Sequence, residues 1–380
     1  MNSSIWLLTI VLMSHFALAQ STSCRQSWMP ADAPAFCPWQ QEPPLPEGRS
    51  YSAIAISGSH VFLLGGFRYD STTNQVKYYD TALRSDLSPD GHLGNWISEA
   101  LFTNGRSGAA AATAGQCLFL SGGSSSTPTD LRYYDDVQYA RIDANGRLSD
   151  WKSSKNHFGT PRSNHSLLSL ATSQGSFLIA VAGVTQIGND TVHLDTVETA
   201  KIGTDCSVGP WSTANYHLKG GRSSPQALLL QDNIVVIGGW GDSDLLDVYR
   251  DVQTTAIRPD GSPMPWQVSS NTLPTGIYGH ATVMIPPSQT HSSALLLSIG
   301  GQPGTGAYSN WVSYAYVSAN APLYGAIGNW RIAPNGKLPT GRAGICAAQS
   351  GNRIYVFGGN DSSNKYYGEV LSAEIDPGHP

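Results

Sequence analysis

The residues best suited to chemistry lie in two short segments, 240–242 and 278–280, and both depart from the pattern of the rest of the chain. An imidazole or a carboxylate can transfer a proton, and a phenol can donate a hydrogen bond to a developing negative charge. An indole face can stack on an apolar or sugar-like ring. The same departures have two alternative explanations. His280 can have a packing role, and the repeat can have drifted without a functional cause. The candidate catalytic residues are Tyr278, His280, Trp240 and Asp242.

A second group of candidates surrounds these segments in a repeated pattern. One set directly follows Gly-Gly or Ala-Gly pairs, and the other stands at the start of apolar runs. The group is aromatic, rich in amides and weakly charged, so it can stack on a ring and hydrogen-bond the oxygens of a small molecule. The predicted substrate-binding residues are Phe67, Arg68, Tyr51, His165, Gln186, Gln302 and Asn360.

The motifs of the common enzyme classes are missing from this sequence. It contains no G-x-S-x-G, no H-E-x-x-H, no phosphate-binding loop and no dinucleotide fingerprint. No Cys-x-x-Cys or Cys/His cluster has the spacing of a zinc site. We therefore expect neither a metal nor another cofactor, although residues far apart in sequence can still meet in space.

The elements that must position these residues form a sixfold repeat. Apolar runs ending in two small residues occur six times, 56 to 62 residues apart. Each is followed by an alternating strand pattern. An Asp-Gly or Asn-Gly turn comes next in three repeats, and a tryptophan follows in five. The six runs are VFLLGG (61–66), CLFLSGG (117–123), FLIAVAG (177–183), IVVIGG (234–239), LLLSIGG (295–301) and IYVFGG (354–359).

Each repeat therefore predicts a sheet of four short strands, which cannot bury both faces alone. Six such sheets packed radially can, so we predict an all-β chain folded as a six-bladed β-propeller. The sixth repeat reaches its third strand near residue 375 without a following tryptophan. Trp39 precedes Arg49 by ten residues, as Trp96 precedes Arg106. We expect the segment around Trp39 to supply the outer strand of the last blade and close the ring.

Composition and charge narrow the class further. The sequence has 380 residues, of which 40 are Gly, 23 Pro, 17 Tyr and 10 Trp, as expected for a β protein rich in turns. A net charge of −5 and the absence of a basic run argue against nucleic-acid binding. Residues 1–19 have the pattern of a secretory signal peptide. We predict a secreted chain without a membrane span, with an N-terminal segment at 20–35 and one domain at 36–377; its oligomeric state stays open.

Five cysteines leave at least one thiol without a partner inside the chain. Cys24 and Cys37 share the proline-rich N-terminal segment and are the predicted disulfide. Cys117 and Cys346 lie in apolar runs, where we expect buried free thiols. The predicted glycosylation sites are the sequons at Asn164, Asn189 and Asn360.

The repeat of Gly-Arg, apolar strand, Gly-Gly, tyrosine-containing strand and tryptophan resembles the kelch repeat over about residues 36–377. Five repeats carry the arginine, at Arg49, Arg106, Arg162, Arg222 and Arg342. Their regular recurrence predicts a structural role. The resemblance implies the propeller fold and leaves function open.

Among secreted propellers of this type, the chain resembles the fungal hetero-Diels–Alderases of tropolone–sesquiterpenoid pathways. That resemblance implies an enzyme without a cofactor that joins a tropolone quinone methide to a humulene-type alkene. Tyr278, Trp240 and Gln302, together with His280, would orient the diene and polarise its carbonyl. His280 or Asp242 would assist the loss of water that forms the quinone methide.

Two other functions remain open on the sequence. The chain also resembles six-bladed kelch-type sugar mutarotases, and a lectin would use the same aromatic and amide groups. A protein-interaction module is the commonest role of kelch domains inside cells, although the predicted signal peptide argues against it.

Overall fold

The computed structural model describes residues 24–127, 129–241, 247–288, 292–318 and 326–378. It is an all-β propeller whose six small antiparallel sheets surround a central channel. The inner strand of each blade contacts the inner strand of the next, and blade 6 contacts blade 1, so the ring is closed. The predicted signal peptide and Asp242 lie outside the described residues.

The strands follow the order expected from the repeat. The N-terminal strands are β1 (Ala35–Phe36) and β2 (Gln40–Glu42). Blade 1 contains β3 (Ala53–Ser57), β4 (His60–Leu64), β7 (Ala82–Asp86) and β8 (Ile97–Ser98). Blade 2 contains β9 (Ala110–Ala114), β10 (Cys117–Ser121), β13 (Val137–Arg141) and β14 (Lys152–Ser153). Blade 3 contains β15 (Ser166–Thr172), β16 (Gly175–Val181), β19 (Val197–Ile202) and β20 (Ser212–Thr213).

The remaining blades repeat this arrangement. Blade 4 contains β21 (Gln226–Leu230), β22 (Asn233–Ile237), β23 (Val252–Ala256) and β24 (Gln267–Val268). Blade 5 contains β25 (Ala281–Ile285), β26 (Ala294–Ile299), β27 (Val312–Val317) and β28 (Arg331–Ile332). Blade 6 contains β29 (Cys346–Ser350), β30 (Arg353–Phe357) and β31 (Val370–Asp376).

The second strand of each blade forms the core between neighbouring sheets. Ile234, Val235, Val236 and Ile237 of β22 are all fully buried, because both faces of that strand pack against adjacent blades. A strand buried on both faces has a continuous apolar sequence rather than an alternating one. The six apolar runs of the sequence are these strands.

The N-terminal segment closes the last blade, as the sequence predicted. Phe36 of β1 pairs with Ile375, and Gln40 of β2 pairs with Ser372, both on β31. Trp39 directly precedes β2, just as the other repeat tryptophans directly precede their outer strands. Phe36 is 2% exposed in the core shared by blades 5 and 6.

A buried carboxylate links this closing strand to blade 1. Glu42 Oε1 accepts a hydrogen bond of 2.5 Å from Ser372 Oγ and lies 2.9 Å from His92 Nδ1. Its other oxygen accepts a bond of 3.0 Å from the backbone NH of Leu93. Glu42 is only 5% exposed, and a buried carboxylate is unfavourable unless it is hydrogen-bonded. These three contacts compensate its charge. The closure of blade 6 is therefore tied directly to blade 1.

Three blades carry an extra hairpin that the repeat pattern did not predict. It follows the Gly-Gly or Ala-Gly pair and rises from the face on which the inner strands begin. The hairpins are β5 (Phe67–Asp70) with β6 (Gln75–Tyr78), β11 (Ser124–Thr127) with β12 (Asp130–Tyr133), and β17 (Val184–Ile187) with β18 (Asp190–His193). Blades 5 and 6 have loops at this position, so the face is asymmetric.

The repeated arginines anchor the blades, which agrees with their predicted structural role. In blade 2, Arg106 is fully buried and donates to Gly122 O at 2.9 Å and to Asp136 Oδ1 at 2.5 Å. Its guanidinium carbon lies 4.0 Å from the centre of the Tyr134 ring. Four of the five arginines stack on the tyrosine of their own blade in this way. Blade 5 lacks this stacked arginine and tyrosine, because Ile277 stands in place of the arginine.

The cysteines pair differently from the prediction in one respect. Cys24 and Cys37 form the predicted disulfide, and Cys346 is a buried free thiol. The prediction of a free Cys117 was wrong, because Cys117 is bonded to Cys206 and joins blades 2 and 3. Cys206 occupies the turn position where other repeats have glycine, with φ of 71°. Two disulfides indicate an oxidising, secretory-type environment.

Within the described ranges, no helix has the length and apolar character needed to cross a membrane.

Candidate ligand site at the channel mouth

The central channel is framed by one residue from each blade, directly before the inner strand. All six have positive φ, between 49° and 61°. At five of the six junctions the backbone NH of one residue donates to the carbonyl of the residue in the preceding blade, at 2.7 to 2.9 Å. This central ring consists of Tyr51, Gly108, Asn164, Ser224, Gly279 and Gly344.

The channel inside the central ring is narrow. The cavity measures about 70 Å³, whereas sites for drug-sized ligands have about 300 to 1,000 Å³. A ligand larger than a few water molecules therefore does not fit inside the ring, and the candidate site in this part of the molecule is the channel mouth above it. The mouth is the face that carries the hairpins and the loops after the Gly-Gly pairs.

Tyr51 covers part of the channel because two glycines make room for it. A Cβ on Gly344 would lie 2.6 Å from the Tyr51 ring, and a Cβ on Gly279 would lie 2.9 Å from its hydroxyl. Both distances are shorter than real contacts, so any larger residue would displace the phenol. Tyr51 thus extends from blade 1 across the ring towards blades 5 and 6, and forms the floor of the mouth on that side.

Aromatic side chains line the mouth above this floor. Phe67 contacts Tyr51 and Tyr366, with ring centroids 6.1 and 5.6 Å apart. Trp240 stacks on Tyr278 with centroids 5.6 Å apart and an interplanar angle of 27°. The phenol of Tyr308 lies near both groups and contributes to raising the pKa of Tyr51, Tyr278 and Tyr366. We call this set the aromatic rim: Tyr51, Phe67, Trp240, Tyr278, Tyr308 and Tyr366.

The phenols of the aromatic rim are hydrogen-bond donors. Burial raises the pKa of Tyr51 and of Tyr278 above the usual tyrosine range, and neighbouring phenols add to the effect. Both therefore stay protonated at any physiological pH. Within the described residues neither hydroxyl has a hydrogen-bond acceptor, so both can donate to a ligand oxygen.

Most of the predicted aromatic residues meet at the mouth. Tyr51, Phe67, Trp240 and Tyr278 all belong to the aromatic rim, and each is half-buried. Gln302 is also half-buried and pairs with Tyr278 through its backbone. These five residues come from blades 1, 4 and 5.

Other predicted residues lie elsewhere. Asn360 is 7% exposed, and its side chain donates to Asp361 O at 3.3 Å. Arg68 alternates with Phe67 along β5, so it faces away from the aromatic rim, beside Lys77 and Tyr79. Gln186 lines a separate groove between the hairpins of blades 2 and 3. Asp242 falls outside the described residues.

The two predicted histidines pack between blades and line the wall of the narrow channel below the mouth. His165 lies between blades 2 and 3, where its Nε2 is 2.9 Å from Ser121 Oγ. His280 has the equivalent place between blades 4 and 5, but Ile237 replaces the serine there. His280 is fully buried, and among the described residues neither of its ring nitrogens has a partner.

This burial predicts a pH dependence of stability. Burial lowers the pKa of His280 to about 3, and it also lowers that of His165. Below pH 6.5 His280 binds a proton in the unfolded chain but stays neutral in the folded chain. The free energy of unfolding therefore decreases as the pH is lowered from 6.5 to about 3. The expected slope is about 1.4 kcal/mol per pH unit for each buried histidine. Urea unfolding of His280→Leu should show a slope smaller by one proton.

The matched control is His157→Gln. That histidine has a side chain 44% exposed beside Asp135, so the variant shows the effect of replacing a histidine that is not buried. An unchanged slope in His280→Leu would contradict the neutral, buried state of His280.

The sequence prediction missed several members of the site. Tyr308 and Tyr366 belong to the aromatic rim, and His193 contacts Trp240 with ring centroids 5.1 Å apart. The sequence could have pointed to Tyr366, because pairs of adjacent tyrosines recur at 78–79, 133–134 and 366–367. Because adjacent side chains of an extended chain point in opposite directions, the second tyrosine stacks on the arginine and the first faces out of the blade. Tyr308 has no such signal.

Within the part of the chain that the structure describes, no group of three or more His, Cys, Asp or Glu side chains could hold a metal ion.

Comparison with known proteins supports the β-propeller fold and does not identify a function. No protein-family profile matches the sequence, and no curated protein matches it. Among solved structures, that of YjhT superposes with a TM-score of 0.62 at 15% sequence identity, covering 88% of this chain and 99% of YjhT. At this identity the similarity shows a shared β-propeller architecture, and the chain is therefore a six-bladed β-propeller.

Proposed function

We propose that the aromatic rim binds a small, uncharged organic molecule with a planar, oxygen-bearing ring. We further propose that the protein is a cofactor-independent enzyme that catalyses a hetero-Diels–Alder cyclisation of this molecule. The observation that carries the proposal is that the phenols of Tyr51 and Tyr278, from blades 1 and 5, lie at the channel mouth beside the aromatic rings of Phe67 and Trp240 without a hydrogen-bond acceptor among the described residues.

This reaction requires the protein only to position the two reactants and to provide a polar group. A quinone methide presents a C=C–C=O unit to the double bond of an alkene, and one C–C and one C–O bond form with no atom lost. Holding the two partners together lowers the entropic part of the barrier. A hydrogen bond to the carbonyl oxygen of the quinone methide makes it more electrophilic, because negative charge develops on that oxygen in the transition state.

The aromatic rim offers groups for both tasks. Trp240 and Phe67 present half-buried rings on which a flat seven-membered ring and an apolar alkene can stack. Tyr278 or Tyr51 can donate to the oxygen. The narrow channel below excludes the ligand from the interior, since about 70 Å³ cannot hold either partner. The reaction would therefore take place on the rim.

The test is the rate of cyclisation with a tropolone quinone methide precursor and a humulene-type alkene. We expect the purified protein to exceed the spontaneous rate, and Tyr278→Phe to lose about tenfold, the worth of one hydrogen bond. Tyr139→Phe is the matched control, because Tyr139 packs on Phe119 inside blade 2. No acceleration by the wild-type protein would refute the proposed reaction.

One observation favours carbohydrate handling as a second candidate. The stacked pair of Trp240 and Tyr278 forms a platform of the type that binds the C–H face of a sugar, with the amide of Gln302 beside it. Quenching of tryptophan fluorescence by a panel of monosaccharides, lost in Trp240→Leu, would support this function. If no monosaccharide of the panel gave saturable quenching, carbohydrate handling would be excluded.

A further inference from the structure

A groove on the mouth face separates the hairpins of blades 2 and 3. It measures about 330 Å³ and lies between strands β12 and β17. The hairpins of blades 1 and 2 leave no such space, because β6 and β11 touch and Tyr78 Oη lies 2.8 Å from Ser126 Oγ. The groove is therefore a local feature of one blade junction, and it is distinct from the aromatic rim.

The lining of this groove suits a sugar. One wall presents Arg132 and Tyr133, and the other presents Thr185 and Gln186, with Gly188 at the end. Burial raises the pKa of Tyr133, whose ring is half-buried. A phenol ring can stack on the apolar face of a pyranose, and guanidinium and amide groups can hydrogen-bond its hydroxyls.

A predicted glycosylation site stands at the end of this groove. The sequon Asn189-Asp190-Thr191 begins in the two-residue turn between β17 and β18. Gly188 has φ of 62° at the first turn position, as a type II′ turn requires, which places Asn189 at the second. Asn189 is exposed and directly follows a residue that lines the groove.

The other two sequons are enclosed. The Oδ1 atom of Asn164 lies 2.4 Å from where a Cβ on Gly108 would stand, inside the central ring, so the folded channel has no room for a sugar there. Asn360 is 7% exposed and is paired through its backbone with Ala343 and Tyr366. Asn189 is thus the sequon that the fold leaves accessible.

We propose that Asn189 carries an N-linked glycan whose first sugars lie in the groove between β12 and β17, against Tyr133, and hold the two hairpins together. The donor would be a polyprenyl-diphosphate-linked oligosaccharide of the secretory pathway. The bond from sugar C1 to the phosphate oxygen breaks, and a bond from C1 to the Asn189 amide nitrogen forms. The amide proton leaves with the lipid diphosphate. This site is independent of the proposed activity.

The first experiment is glycopeptide mapping of the full chain secreted by a eukaryotic host. We expect a glycan at Asn189 and none at Asn164 or Asn360. Asn189→Gln and Thr191→Ala should each remove it, the second while retaining the asparagine. An unmodified Asn189, or occupancy of either enclosed sequon, would overturn the proposal.

The second experiment measures amide hydrogen exchange in β12 and β17. Removing the whole glycan enzymatically should make these amides exchange about tenfold faster, since they lose a contact that holds the hairpins closed. Tyr133→Ala should give the same increase with the glycan still attached. Asn145→Gln, at an exposed turn outside any sequon, is the control for the substitution. A glycan whose removal leaves exchange in both strands unchanged would refute its place in the groove.

Discussion

A chain that lacks residues 20–42 will fail to fold as a cooperative unit. The deletion removes β1 and β2, and with them the only strands that pair with the outer edge of β31 within the described ranges. Loss of Phe36 from the core costs about 3 to 5 kcal/mol, and loss of the Glu42 contacts adds to it. Native domains have about 5 to 15 kcal/mol in total. The exposed edge of β31 would also invite aggregation.

The measurement is thermal unfolding followed by circular dichroism. We expect no cooperative transition in the truncated chain, and recovery of one on adding a peptide of residues 33–45. The double variant Cys24→Ser/Cys37→Ser is the matched control, because it loses the disulfide and keeps both strands. It should unfold cooperatively at a lower temperature. A truncated chain that melts like the wild type would contradict the closure of the ring by its N-terminal strands.

Arg106→Leu is expected to destabilise the protein by about 3 to 5 kcal/mol, the usual result of removing one partner from a buried ion pair. Arg106 is fully buried, and the variant would leave Asp136 without its guanidinium and Gly122 O without its donor. The stacking on Tyr134 would be lost as well. In urea the unfolding midpoint should fall while the slope m stays unchanged, because the same surface is exposed on unfolding.

The double variant Arg106→Leu/Asp136→Leu separates charge from packing. If the cost is an unpaired carboxylate, the second substitution should recover part of the lost stability. No recovery would assign the whole effect to the lost stacking and hydrogen bonds. Wild-type stability of Arg106→Leu itself would contradict the anchoring role of the repeated arginines.

The fold was predictable because each repeat carries its own strand order. Every tryptophan used to align the repeats directly precedes an outer strand, and Trp39 does so for β2. Pairing of Cys117 with Cys206 was not predictable, because they are 89 residues apart and meet only through the contact of neighbouring blades. The face hairpins also escaped prediction, because they are inserted after the Gly-Gly pairs and do not repeat in every blade.

The candidate site was predictable only in part. Departure from the repeat drew attention to Trp240 and Tyr278, and both belong to the aromatic rim. The same reasoning could not show that Ile237 stands where the equivalent histidine, His165, has a serine partner, so that His280 is buried without a hydrogen-bond partner among the described residues. Tyr308 went unnoticed, since loops without periodicity give no indication of which side chains meet across the channel.

We propose that the aromatic rim at the channel mouth is the small-molecule site. A crystal structure of the protein soaked with the cyclised tropolone–terpenoid product tests this most directly. We expect density for the product between Tyr51, Trp240 and Tyr278, with a ring oxygen within hydrogen-bond distance of a phenol hydroxyl. Product density elsewhere, with the aromatic rim left empty, would contradict it.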